Sequence, residues 1–470
     1  MEKNTKTISN STCFAYGIGG LGEGIGYNFF FGFFLFFLTN TAGVSPAWAG
    51  TISMIAVFWD AISDPLIGFM SDHSKNPKGR RRPFLFKGSI LLGIAVFLLF
   101  NNFDISPTLK VLYYIAINIL YWIALTSCVI PHTSLGAELT NDFNQRTSIR
   151  AYQTFFMNIG AGMALSGTLV IVGFFSKYFG DSGSWAATGA VFGIIVFLAY
   201  FTCYLCTRGK EPENINLQKE KTDQKQSRSF LSTYKGILGN KALRYVLVID
   251  FAVNFMLGIA VSVRVYLYTY TFGFSDAMTS LLMMIYSIVI IVGVILSNYI
   301  AKKLGKKTAM VVGTLVYAAG FLIVYFLPAS QIIVGTGLVM EGLGNCTFWT
   351  LLYSFAYDTS IIEVYKYGEG NEGIIVSMIG LFMKVGNAIG MWLCGLGLAY
   401  IGFNAELAVQ SVSTQNGLKV LYCLVSAAVL IIGAIVFSRY PLTEEKYEQI
   451  REMAENPELS HDTTGLEKLL

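Results

Sequence analysis

The sequence predicts an all-α membrane protein: twelve transmembrane helices in two six-helix bundles related by pseudo-two-fold symmetry. Three observations predict it. Of 470 residues, 54% are hydrophobic and only 13% charged, about half the charge of an ordinary soluble domain. Apolar runs of roughly the 20 residues that a span requires recur twelve times. A polar stretch divides these runs six from six, and each half carries a basic loop in the same place.

The first run, Cys13 to Leu38, follows a polar N-terminal segment. It is too long, and lacks a small-residue cleavage site, for a removable signal peptide, so it is expected to stay as a span. Its Gly17, Gly19 and Gly22 have the spacing of a dinucleotide-binding turn, but no strand precedes them. With Gly20, Gly24 and Gly26 they are expected instead to let another helix approach closely. Trp48 to Met70 and Phe84 to Phe100 flank a loop carrying Lys75, Lys78, Gly79, Arg80, Arg81 and Arg82. Val111 to Leu135, Phe155 to Phe175 and Ala186 to Cys206 complete the first half. The second half comprises Tyr245 to Phe272, Ala277 to Ile300, Thr308 to Leu327, Gln331 to Ala356, Ile374 to Ile401 and Leu418 to Phe437. Its second helix is followed by Lys302, Lys303, Gly305, Lys306 and Lys307, matching the first basic loop. The bundles are thus expected over residues 1–207 and 241–440, with a polar cytoplasmic linker over 208–240 and a tail over 441–470. Within the tail, Tyr447, Ile450 and Met453 recur at helical spacing after Thr443, which predicts a short surface helix.

Charge sets the orientation. With both termini cytoplasmic, Lys110, Lys177 and Lys419 fall outside, Arg264 and Lys384 fall within spans, and the other Lys and Arg are cytoplasmic, as the positive-inside rule requires of a multi-pass cell-membrane protein. The net charge of +4 is that asymmetry, and nucleic acid is not implied. The seven Cys are scattered through apolar runs and read as packing residues. His73, His132 and His461 lie far apart, and no nucleophile has a base at working spacing, so neither an enzyme nor a cofactor is expected.

Ionisable residues inside spans carry the chemistry, because each costs roughly 2.5–3.5 kcal/mol at a helix centre. They are Glu23, Asp60, Asp64, Asp250, Arg264, Glu341 and Lys384. Asp60 and Asp64 lie one turn apart on one face near the midplane. Two carboxylates so close resist joint ionisation unless a cation or a proton joins them, and Ser63 adds a hydroxyl of the kind that suits a small hard cation. Lys384, also near the midplane, is the natural counter-charge for the pair, or else a partner of Glu341. Asp250, Asn254 and Arg264 fall within roughly an 80° arc. An inward Arg264 can grip an anion bidentately or pair with Asp250 or Glu23.

The stretch Trp59-Asp60-Ala61-Ile62-Ser63-Asp64-Pro65-Leu66-Ile67-Gly68, continuing through Ser71-Asp72 to Gly79-Arg80-Arg81-Arg82-Pro83-Phe84, resembles the signature of the glycoside-pentoside-hexuronide:cation symporters. Tyr16-Gly17, Ile130-Pro131, Phe348-Trp349, Asp358-Thr359, Glu372-Gly373, Lys384 and Pro441-Leu442-Thr443 extend the resemblance over nearly the whole chain. It implies a major facilitator fold that imports a sugar or glycoside with Na⁺, H⁺ or Li⁺. By the same resemblance, Asp60 and Asp64 correspond to the family's cation-site carboxylates, which would be the Na⁺ ligands in a sodium-coupled member. Thr126 corresponds to its hydroxyl ligand, Lys384 to its lysine, and Trp349 to an aromatic near the sugar.

Three departures bear on substrate. Melibiose-type members have Lys-Asp where this chain has Glu23-Gly24, Asp where it has Val129, and Asn where it has Ser63. The galactoside-binding carboxylates are therefore missing. Glu23 and Arg264 join Trp349 and Lys384 as candidate substrate residues, and Arg264 tilts the expected substrate towards an acidic sugar, a hexuronide or a sulfonated sugar. The chain is expected to work as a monomer in the lipid bilayer. A lysolipid symporter of the same fold and a transporter-derived sugar sensor are the rival readings; the first would follow amphiphiles, and the second would bind sugar without flux.

Overall fold

The computed structural model describes residues 8–72, 74, 76, 79–140, 143–210, 238–367, 372–455 and 466. His73, Lys75, Lys78, His461, the linker beyond residue 210 up to 237 and most of the tail after residue 455 lie outside them. Among the described residues every regular element is helical. In order they are α1 (Asn10–Gly17), α2 (Gly19–Asn40), α3 (Pro46–Asp72), α4 (Arg82–Leu99), α5 (Pro107–Glu138), α6 (Phe143–Cys206) and α7 (Lys241–Tyr266). There follow α8 (Asp276–Leu304), α9 (Lys306–Phe326), α10 (Gln331–Tyr367), α11 (Glu372–Tyr400), α12 (Val412–Lys419), α13 (Ser426–Phe437) and α14 (Glu444–Glu455). π-Helical turns at Leu267–Thr271 and Val420–Val425 continue α7 and join α12 to α13.

Ten helices among the described residues are long and apolar enough to cross a membrane, with α1 and α2 counting as one run of 31 residues. A straight α6, at 64 residues, would be about 96 Å long, three times the hydrocarbon thickness. It breaks at Gly180, whose φ of 65° and ψ of −176° lie outside the helical region, so two helices meet there. A residue with a Cβ would be strained at that φ. α10 is interrupted by Thr336, Glu341, Asn345 and Thr347 and falls outside the ten.

The chain divides into two compact units. One comprises Met1–Ile215, Val261–Ser287 and Met391–Lys419. Its centre is the crossing of α2 on α6, which follows from glycine. A Cβ on Gly24 would overlap the carbonyl oxygen of Met157, and a Cβ on Gly160 that of Leu21, so the two backbones touch. Around this crossing Phe29 stacks on Phe100 with centroids 3.8 Å apart, and Phe100 on Trp185 at 5.9 Å. Such pairs add about 0.5–1.5 kcal/mol each beyond burial. We expect Gly24→Val to cost ~3 kcal/mol by overpacking; thermal melting of the purified variant well below wild type checks this, and an unchanged melting temperature contradicts it. The first basic loop is tied down in the same unit: Arg80 and Arg81 pair with Glu138, Arg81 at 2.8 Å. Arg82 donates to the carbonyl of Tyr204 and lies 4.5 Å over its ring.

The other unit comprises Asn216–Ala260, Ile288–Gly390 and Val420–Leu470. Here Lys306 of the second basic loop pairs with Asp358 on α10 at 2.8 Å, an arrangement like that of Arg81 and Glu138. α14 lies against α10 and buries Ile450 and Met453, two of the three positions that the spacing picked out. Glu363, past the apolar part of α10, is 1% exposed and accepts one hydrogen bond, from Asn240 Nδ2 at 3.2 Å. Burial raises its pKa, against the lowering effects of Asn240 and Lys366. Because the folded value is raised, the folded state holds this proton more tightly than the unfolded one, and stability is lost as pH rises through the folded value. Glu363→Gln should therefore melt above wild type at alkaline pH, the gap closing as the pH approaches about 4. A gap that widens on acidification would reverse the sign.

Candidate functional site

α3 places Asp60, Ser63 and Asp64 within one turn, so the two carboxylates share a face. Thr126, from α5, meets them there. Its Oγ1 lies 2.7 Å from Asp60 Oδ1 and 3.0 Å from Asp64 Oδ1. A hydroxyl has one proton to donate, so Thr126 serves one carboxylate at a time while spacing both. Asp60 is 1% exposed and Thr126 3%. Ser63 Oγ donates to the Asp60 carbonyl at 3.2 Å, which leaves its lone pairs for a ligand. Pro65, inside α3, has no N–H, so the Ala61 carbonyl loses its helical partner beside the pair. The sequence reading passed over that carbonyl, although Pro65 was its signal.

These donors are all oxygen, the set that hard cations prefer. Among the described residues no third Asp, Glu, His or Cys completes a metal cluster. Two carboxylates with two hydroxyls therefore fit a small monovalent ion or a proton better than a transition metal.

The other expected residues are distributed as follows. Glu23 belongs to the same unit as the acidic pair. Its Oε2 accepts from Gln153 Nε2 at 3.1 Å, and Gln153 Oε1 accepts in turn from Arg150 Nη1 at 2.9 Å. Tyr16 also donates to Gln153, at 3.3 Å. His132 stacks on Tyr16 with centroids 4.3 Å apart, and its Nε2 lies 3.0 Å from the Tyr16 carbonyl; it is a packing residue here. Gln153 and Arg150 escaped the sequence reading because they precede the apolar run that begins at Phe155.

Arg264 is 2% exposed. Its guanidinium lies 4.7 Å over the ring of Tyr286, and Nη1 is 3.8 Å from Met283 Sδ. A guanidinium so close over a ring makes a cation–π contact that helps hold its charge inside the protein. In the other unit, Trp349 packs edge-on to Phe348 at 5.2 Å. Lys384 is half-buried on α11. Glu341 receives the hydroxyl of Tyr422 at 3.0 and 3.1 Å, and Asp250 receives the amide of Asn254 at 2.8 Å.

Residues 15–444 match the family described as MFS/sugar transport protein. An isoprimeverose transporter of Lactiplantibacillus pentosus is 25% identical, covering 91% of this chain and 88% of its own. A provisionally named sulfoquinovose importer of Escherichia coli strain K12 is 24% identical over 93% of this chain and 92% of its own. The crystal structure of a D-xylose–proton symporter superimposes with a TM-score of 0.67 at 16% identity, covering 93% of this chain and 98% of that one. At that identity the likeness establishes the fold, that of major facilitator transporters.

Proposed function

The chain belongs to the MFS/sugar transport protein family, multi-pass membrane transporters and not enzymes, and from that premise we propose that it is a secondary-active symporter importing a sugar or glycoside with a cation. The observation that carries the reading is the Thr126 hydroxyl within hydrogen-bonding distance of both Asp60 and Asp64. Na⁺ or H⁺ joining that pair relieves the repulsion between its carboxylates, and α3, settled by the ion, favours the sugar-binding state. Glu23, Arg264, Trp349 and Lys384 are the residues that would meet the sugar. Twelve spans follow when the two arms of α6 and the polar α10 are each counted as crossing. Residues 1–207 and 241–440 are then the two bundles of an alternating-access monomer in the cell membrane, with both termini cytoplasmic.

An acidic sugar is the finer reading. It rests on the buried guanidinium of Arg264 and on the name of the Escherichia coli relative. The deciding experiment is uptake of radiolabelled neutral and acidic glycosides into proteoliposomes under an imposed Na⁺ or H⁺ gradient. Accumulation driven by one gradient names the ion and the sugar class together. Binding without accumulation under either gradient would leave a sensor, and uptake only of amphiphiles would leave a lipid carrier.

A further inference from the structure

In the unit that holds Asn216–Ala260 and Ile288–Gly390, α7 and α11 cross with their backbones in contact. A Cβ on Gly258 would lie 2.5 Å from the Asn387 carbonyl oxygen, and one on Gly386 would lie 3.0 Å from both Phe251 O and Phe255 N. Beside this crossing runs a string of polar side chains. Asn387 Nδ2 donates to Asn254 Oδ1 at 3.1 Å, and Asn254 Nδ2 donates to Asp250 Oδ1 at 2.8 Å and to the Asp250 carbonyl at 2.9 Å. Asp250 is 0% exposed, and among the described residues its Oδ2 has no hydrogen-bond partner. One neutral amide is thus the whole hydrogen-bonding provision for this carboxyl group.

The elements packed on this stretch bring little charge. α13, whose Gly433 rests on Ile249 and Ala252, carries no ionisable residue. α11 carries Lys384, one turn before Asn387, together with Glu372, Cys394 and, at its far end, Tyr400. α10 meets α7 at Asn240, where Thr359 and Glu363 accept its amide, ten residues and about 15 Å along the helix from Asp250. On α7 itself Lys241, Arg244, Tyr245, Arg264 and Tyr266 are each more than a turn away. An ionised carboxylate so placed would forfeit its hydration with one neutral donor in return, whereas a protonated one has little to lose.

The geometry points to Asp250 as a proton-binding site distinct from the Asp60 and Asp64 pair, with Asn254 and Asn387 tying its protonation to the face of α11 that bears Lys384. The site rests on the transport reading only for its use, since its protonation stands independently of which ion the acidic pair takes. Each amide of the string already donates towards Asp250, so loss of its proton turns neither one; the new charge polarises and tightens the string as far as α11.

Infrared difference spectroscopy on the purified full-length protein in nanodiscs at neutral pH tests this. Wild type minus Asp250→Asn should show a protonated-carboxyl C=O stretch, and the same band should persist in an Asp60→Asn, Asp64→Asn background. A carboxylate band in its place overturns the proposal. Asparagine is close in shape to the protonated acid, so the variant should fold. Should it not, Asn254→Leu in the wild-type background serves: removing the one donor to Asp250 shifts its C=O stretch if Asp250 is protonated, and an unaltered protonated-carboxyl region refutes it. Sugar counterflow by wild type in the same preparation tests the transport reading separately, because its absence leaves the infrared result standing.

Discussion

Sugar accumulation in proteoliposomes should be lost when either Asp60 or Asp64 is replaced by asparagine. One monovalent cation moving with each sugar contributes about 2.3 kcal/mol at 100 mV, enough for roughly fifty-fold accumulation. Neutralising one carboxylate removes a ligand and the repulsion that makes the pair seek positive charge, so accumulation should fall to about one-fold, the level of simple equilibration. Thr126 supplies the finer test. Thr126→Val keeps the volume and deletes the hydroxyl that lies 2.7 and 3.0 Å from the two carboxylates. A hydrogen bond to a charged group contributes about 1.5–3 kcal/mol, so activation by the cation should need at least ~10-fold more ion, while Thr126→Ser should stay near wild type. Accumulation that survives in either aspartate variant would remove the pair from the coupling mechanism.

Arg264→Gln should separate acidic from neutral substrates. The guanidinium is buried on the face of Tyr286, and a charge-assisted pair with a carboxylate or sulfonate is worth about 1.5–3 kcal/mol, or about ten- to a hundred-fold in uptake of an acidic sugar at low concentration. Uptake of a neutral glycoside should change little. Competition of labelled neutral against unlabelled acidic sugar measures both in one assay. Acidic-sugar uptake left intact by the substitution would end the proposal for Arg264.

What was legible in the sequence was mostly what a helical period reveals. Asp60 and Asp64 stand four apart on one apolar run, and the glycines of the first run mark a face where α6 comes within backbone contact. Ile450 and Met453 were found by the same arithmetic. Partners across helices were another matter. Nothing in α5 alone says that Thr126 faces α3; only the family resemblance placed it. Arg150 and Gln153 were counted as flank because the fifth apolar run begins at Phe155, whereas α6 begins at Phe143 and carries its polar start in helical form. The stretch between Phe175 and Ala186 read as a loop, yet it is helical on both sides of a single bent residue, Gly180. The amides of Asn254 and Asn387 bear no charge, so a search for costly ionisable residues found Asp250 and missed the string that holds it.

The contact of α2 with α6 has a consequence for movement. Helices that meet through side chains can change rotamer and slide, but where the carbonyls of Met157 and Leu21 lie against Gly24 and Gly160 there is no soft layer to shear. The two helices must travel as one lever, carrying Glu23 on one arm and Gln153 on the other without parting them. Paired spin labels at the lipid-facing ends of α2 and α6 should then report a single, narrow distance distribution through the whole transport cycle, giving a fixed ruler against which the motion of every other helix can be read.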